Sequence, residues 1–237
     1  MGILYSVATP IGNLEDITYR AVTVLQSVSV ILCEDTRVTR HLTERYAITT
    51  PLQHYDQFTQ PRLLNGLIQR LEQGESIALV TDAGTPGVSD PGTRLVQAAI
   101  AAGITVCPIP GPSALITALQ ASGLDTSEFI FLGFLPHKRG RQAKLAAIAA
   151  SDRTVIIYES PHRLLKTLAV LRTSNKYIVV GRELTKIYEE FVRGSAETVY
   201  EIFSKRPSIK GECVLIIGQA PQTTATADTA VPHLNEM

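Results

Sequence analysis

The stretch SIALVTDAGTPGVSDPGTRLVQAAIAAGITVCPIPGPS, residues 76–113, decides how the chain is read. It opens on an apolar run, 77–81, and turns through Asp82-Ala83-Gly84-Thr85-Pro86-Gly87-Val88-Ser89-Asp90-Pro91-Gly92. A helical pattern over 91–102 follows, and then a second apolar run, 105–109. Short apolar runs without alternation mark strands covered on both faces, as in a parallel sheet. Asp90 before Pro91 reads as an N-cap with proline at the first helical position. Strand, helix, strand is the βαβ unit that joins parallel neighbours. Residues 95–124 carry no charge, yet Gly103, Pro108, Pro110, Gly111 and Pro112 would break a spanning helix in its middle. The expectation is a soluble chain with no membrane segment.

The same rhythm extends outward. Runs 3–7 and 28–33 read as strands, and 17–27, 36–46, 62–73 and 113–121 as helices. Beyond residue 124, strands are expected at 129–133, 154–158, 178–181, 188–192 and 214–217, with helices at 142–150, 161–171 and 196–203. Runs 178–181 and 188–192 are too close for a helical crossover, so they should pair antiparallel. The expected fold class is therefore α/β with two domains. Residues 1–124 form an N-terminal α/β domain with a mostly parallel sheet, and residues 125–219 a C-terminal α/β domain with a mixed sheet. Residues 220–237, poor in apolar periodicity, read as a disordered tail.

Composition narrows the function. The 237 residues include 22 basic and 22 acidic side chains, a net charge of zero, and 45% are hydrophobic, which excludes a disordered body and a bulk polyanion binder. Any nucleic-acid contact must come from a local patch, and with 6% aromatics and no Trp it cannot rest on broad base stacking. Cys33, Cys107 and Cys213 lie far apart, with no CxxC pair, so a reducing cytoplasm and no metal site are expected. The first residues lack the basic region of a signal peptide.

Three loops follow strands and are rich in Gly and Pro: 9–14, 82–92 and 108–114. Each by itself also reads as an ordinary strand–helix turn, with Ser113 capping a helix. Together they would line one rim of an open parallel sheet, where ligands bind. No GxGxxG and no Walker lysine is present, which disfavours a phosphate-rich cofactor.

Eight motifs occur in order: ATPIGNLEDIT (8–18), CEDTR (33–37), VTDAGTPGVSDPG (80–92), PIPGPSALITAL (108–119), GFLPHKRGR (133–141), YESPHR (158–163), GRELTK (181–186) and KGECVL (210–215). Over residues 1–218 the chain resembles the tetrapyrrole methylase superfamily, and within it the branch that methylates ribosomal RNA of the small subunit. That resemblance implies S-adenosylmethionine in a cleft between two α/β domains, a homodimer, and 2′-O-methylation of a cytidine ribose in the decoding centre of 16S rRNA on the 30S subunit. By motif it implies cofactor contacts at Pro10, Asp82, Ala83, Gly84, Thr85, Val88, Ser113 and Ala114, closed from the second domain by Tyr158, Glu183 and Glu212. The last three also read as strand-end packing. S-adenosylmethionine has no phosphate, which agrees with the missing basic cradle. A corrin methyltransferase on the same scaffold, or a non-catalytic RNA-binding or ribosome-assembly factor, are the alternatives.

A ribose hydroxyl is a very weak acid, so an acceptor beside it would help as charge develops. Glu34 and Asp35, at the end of the second strand, are the candidates; Asp35 reads equally as a helix N-cap with Glu34 structural. His162 and Glu159 are weaker candidates. For RNA phosphates the cluster Lys138-Arg139-Gly140-Arg141 with Lys144 stands out, extended by Arg37 and Arg163, although a charged run also reads as a solvated face.

Overall fold

The computed structural model describes residues 1–221, so the tail expected at 220–237 lies, from residue 222 on, outside the described residues. The chain divides into two compact units, Met1–Ala114 and the part from Leu115 onward. The division expected at 124/125 thus falls one helix later than the observed one.

The first unit holds strands β1 (Ile3–Val7), β2 (Val30–Cys33), β3 (Leu52–His54), β4 (Ile77–Leu79) and β5 (Thr105–Ile109). They form one sheet in the order β3-β2-β4-β1-β5, every neighbouring pair parallel. Four helices cover it: α1 (Tyr19–Ser27), α2 (Thr36–Arg45), α3 (Pro61–Glu72) and α4 (Thr93–Ala101). Side chains alternate between the two faces. Val7, Ile31, Cys33, Ala78 and Val80 pack with Ala21, Leu25 and Leu42 of α1 and α2. Leu4, Val30, Leu32, Ile77 and Leu79 pack with Leu67, Leu71, Leu95 and Ala99 of α3 and α4. Burial on both faces is why these strands read as unbroken apolar runs.

Two details depart from the sequence reading. Strand β3 was not expected: Gln53 and His54 follow Pro51 at the sheet edge, half-buried or exposed, so no apolar run announces it. Helix α4 starts at Thr93 instead of Pro91, with Gly92 as its N-cap at φ +139. Gly87 (φ +82) and Ser89 (φ +68) wind the loop, which needs those two further residues before it can turn helical. A Cβ on Gly92 would sit 2.8 Å from Leu79 Cδ2, inside the core. Gly92→Ala is therefore expected to cost on the order of 3 kcal/mol, combining backbone strain and overpacking. Gly74→Ala, at φ +99 in open space, carries the backbone part alone and should cost about 1 kcal/mol, and denaturant titration of both variants checks the difference.

The second unit holds α5 (Ala114–Gln120, from its second residue), β6 (Phe129–Phe134), α6 (Arg141–Ala150), β7 (Thr154–Glu159), α7 (Pro161–Leu171), β8 (Tyr177–Arg182), β9 (Glu190–Ser195), α8 (Ala196–Ser204) and β10 (Cys213–Gly218). The sheet order is β6-β7-β10-β8-β9. Only β6 and β7 pair in parallel; the other pairs are antiparallel, so the sheet is mixed. Its core joins Leu145, Ile157, Leu164, Leu168, Val180, Val199, Phe203 and Leu215. Strand β9 lies later than the expected 188–192. The segment between β8 and β9 is held out of the ladder by Glu183 (φ +51) and Thr185 (φ +63), with Glu189 Oε2 accepting from Thr185 N at 2.6 Å. Among the described residues no helix is long and apolar enough to cross a membrane. All three cysteines are free, and burial pushes the Cys213 thiol up to about 12.

Candidate functional site

Because the first sheet is wholly parallel, its strand ends gather their loops along one edge. Three of these loops are stitched together. Thr9 N donates to Gly84 O (2.9 Å) and Gly84 N to Thr9 O (3.0 Å). Thr9 Oγ1 donates to Thr81 O (3.1 Å), and Thr85 Oγ1 to Pro112 O (3.1 Å). Gly111 passes so near β1 that a Cβ there would lie 3.1 Å from Ala8 Cβ. Pro10 and Gly84 are buried within this rim, whereas Asp82 and Ala83 are exposed on it and Thr85, Val88, Ser113 and Ala114 are half-buried. The residues assigned to the cofactor in this unit therefore fall along one rigid edge built from backbone amides and small side chains. No lysine or arginine lies among them, which suits a donor with a sulfonium and an amino-acid end but no phosphate.

The edge opens between β2 and β4. The chain leaves β2 outward to β3 through α2 and leaves β4 in the opposite direction to β5 through α4, on the other face. That is a topological switch point, where open α/β sheets form their crevice. A cavity of about 490 Å³ lies there, lined by Glu34 just past β2, Tyr55 and Gln57 just past β3, Gly87 and residues 89–92 of the β4–α4 connection, and Thr93 and Arg94 at the start of α4. Glu34 is half-buried, and burial, followed by repulsion from Asp90 and Asp82, pushes its carboxyl up to about 7. Its carbonyl accepts from His54 Nδ1 at 2.7 Å.

Asp35, its neighbour, has a different position. Its Oδ1 accepts from Arg37 N (2.8 Å), capping α2, and its Oδ2 pairs with Arg37 Nη2 at 2.6 Å. Those bonds hold the Asp35 carboxyl well below the usual carboxylate range. Its backbone N donates to Asp82 Oδ1 (3.0 Å), tying β2 to β4. Of the two catalytic candidates, Glu34 faces the cavity and Asp35 anchors the helix.

In the second unit, Arg141 and Arg163 are engaged inside the fold. The Glu159 carboxylate, with none of its side chain exposed, meets Arg141 Nη2 at 2.5 Å and lies 2.9 Å from Arg163 Nε. Thr167 Oγ1 donates to Glu159 Oε2 at 2.6 Å and Ser160 N to Oε1 at 2.9 Å. The two guanidiniums also grip the β6–α6 connection, Arg141 at Pro136 O (3.3 Å) and Arg163 at Leu135 O (3.2 Å). Lys138, Arg139 and Lys144 are exposed, as is Arg37. Gly140, at φ +83, is the N-cap that lets α6 begin. Tyr158 is edged by Phe131 and Phe134, and its hydroxyl accepts from Leu115 N at 3.1 Å. Glu183 accepts from Glu212 N and from Lys186 Nζ, both at 2.9 Å, while Lys186 also pairs with Glu212 at 2.9 Å.

The model for tetrapyrrole (corrin/porphyrin) methylases matches residues 3–200. The chain belongs to this family. The chain is 50% identical to the ribosomal RNA small subunit methyltransferase I of a Synechocystis strain over 227 residues, spanning 94% of this chain and 81% of that one. It is 44% identical to the Bacillus subtilis protein of the same name, over 92% of this chain and 75% of the relative. The fold of the family is also seen in a cobalt precorrin-4 methyltransferase (TM-score 0.65, 17% identity, 91% of this chain and 94% of that one). Diphthine synthase shares it too (TM-score 0.70, 13% identity, 92% and 90%). Within this family member, Tyr55, Gln57 and Arg94 had escaped the sequence reading. Tyr55 and Gln57 follow the unannounced strand β3, and Arg94 looks like any helix-surface cation. Asp90 was seen only as a cap.

Proposed function

We propose that the protein transfers a methyl group from S-adenosylmethionine to the 2′-oxygen of a cytidine ribose in 16S rRNA, in the cytoplasm. The observation that carries this reading is the identity of about half the residues, along nearly the whole chain, with relatives named for small-subunit ribosomal RNA methylation. The corrin alternative has weaker support, because the tetrapyrrole enzymes resemble this chain at 17–21% identity only.

When bound, the cofactor supplies an electrophilic methyl on sulfur: the O–C bond forms, the C–S bond breaks, and that electron pair stays on sulfur. The residues of this chain do the rest. Pro10, Asp82, Ala83, Gly84, Thr85, Val88, Ser113 and Ala114 present a rigid edge of amides and small side chains, and rigidity is what an in-line displacement needs. Glu34 takes the proton released by the ribose hydroxyl. Lys138 and Arg139, with Arg37 and Lys144, meet phosphates. Labelled cofactor offered to 30S subunits and to naked 16S rRNA, with nuclease mapping, tests the reading. Transfer to a single cytidine 2′-oxygen supports it, and no transfer to either substrate overturns it. Replacing Lys138 and Arg139 together by Ala should lower RNA affinity and reduce the slope of log affinity against log salt by about two, with cofactor affinity unchanged by calorimetry.

A further inference from the structure

The connection between β4 and α4 has two working sides. Residues 83–85 lean on the β1 and β5 loops through Gly84 and Thr85. Gly87 and residues 89–92 line the cavity shared with the ends of β2 and β3. We propose that this cavity receives the target nucleoside, extruded from the RNA, and that Asp90 and Gln57 read the amino-bearing edge of its base. The proposal rests on the methyltransferase reading above and adds where the acceptor sits and how it is chosen.

Position argues for it first. A methyl acceptor must lie beside the donor, and one short loop separates the cavity from the rim assigned to the cofactor, with Glu34 in the cavity wall. Size agrees: about 490 Å³ falls inside the range of roughly 300–1,000 Å³ for small-molecule pockets. Charge then selects the occupant. Glu34 and Asp90 stand in the wall, and Asp82 and Asp56 lie close enough to act on Glu34. The cation in the lining, Arg94, donates from Nη1 to the carbonyls of Gln57 and Thr59, so the carboxylates outnumber it in a wall that disfavours a phosphate and favours a neutral nucleoside bringing hydrogen-bond donors. Among the described residues, no three His, Cys, Asp or Glu are placed to share a metal ion. Cytosine offers its N4 amino group, which a carboxylate accepts; uracil would set its O4 oxygen against that carboxylate.

The lip of the cavity also suits an unstacked base. Arg94 Nη1 donates to Gln57 O (3.2 Å) and Thr59 O (3.4 Å), fixing the segment after β3. Between those two carbonyls, Phe58 is 79% exposed, and Tyr55 forms a buried wall. Flipped bases are held by stacking on such side chains as well as by hydrogen bonds to their edges.

The test uses 30S subunits reconstituted with cytidine or uridine at the mapped nucleotide. Wild-type protein should favour cytidine by about 10- to 100-fold in kcat/KM. Asp90→Asn, whose amide can donate to O4, should bring that preference to within a few-fold while calorimetric affinity for S-adenosylmethionine is unchanged. Gln57→Ala, at an exposed position that folding tolerates, should raise KM for the cytidine subunits several-fold with kcat little altered. An undiminished cytidine preference in Asp90→Asn overturns the pocket while leaving the methyltransferase reading intact. If Asp90→Asn does not fold, an unchanged KM in Gln57→Ala overturns the pocket in its place. Failure of the wild-type protein to methylate any subunit removes the parent reading instead.

Discussion

Glu34→Gln is expected to slow methyl transfer by about 10²- to 10⁴-fold, the usual weight of one positioned general base. Cofactor affinity should be unchanged, because the side chain lines the cavity and not the stitched rim. The pH profile gives a second, independent readout. Glu34 accepts a proton only as a carboxylate, and its carboxyl lies at about 7, so wild-type kcat should climb through neutrality and level off above it. The residual rate of Glu34→Gln should lack that step. Stability should run the other way. A carboxyl whose folded value is raised binds more protons in the folded state between its ordinary value and about 7, so stability falls as pH rises through that interval. Thermal melts of the wild type from pH 5 to pH 8 should show the decline, and Glu34→Gln should flatten it. A kcat within a few-fold of wild type would remove Glu34 from the chemistry.

Glu159→Ala should produce the largest loss of stability, about 3–5 kcal/mol, because it leaves two largely buried guanidiniums without their counter-charge. For a chain of 237 residues that corresponds to a fall in Tm on the order of 10 °C. Exchanging Glu159, Arg141 and Arg163 together for Leu, Met and Met should recover most of the loss, since removing all the charges also removes their desolvation cost. A drop below about 1 kcal/mol in Glu159→Ala would mean that water reaches the cluster and screens it.

The parallel sheet was legible because β1, β2, β4 and β5 are apolar on both faces, and unbroken apolar runs have few other readings. Strand β3 was not, since a three-residue edge strand ending in Gln53-His54 is recognised only by the neighbour it pairs with. The Gly/Pro loops were visible for a local reason: backbone freedom is written into residue type. The cavity was not visible, because Glu34, Gln57 and Asp90 come from three strand ends that only the order β3-β2-β4 brings together. The local run of charges likewise put Arg141 among the candidates for RNA phosphates, whereas it is engaged inside the fold. Its partner Glu159 is 18 positions away and looks in sequence like one more charge at a strand end.

The triad formed by Glu159 and its two arginines contains one anion for two cations, so a net positive charge is sheltered under the β6–α6 connection, with Arg141 and Arg163 only 12% and 17% exposed. Ions in the medium mute the fields of Lys138 and Arg139 within a Debye length of about 10 Å at 0.1 M, but they reach a covered charge poorly. Added salt should therefore leave the ion pairs of this cluster, and the melting temperature they support, almost unchanged, while it weakens the pull of the exposed cations on any anion.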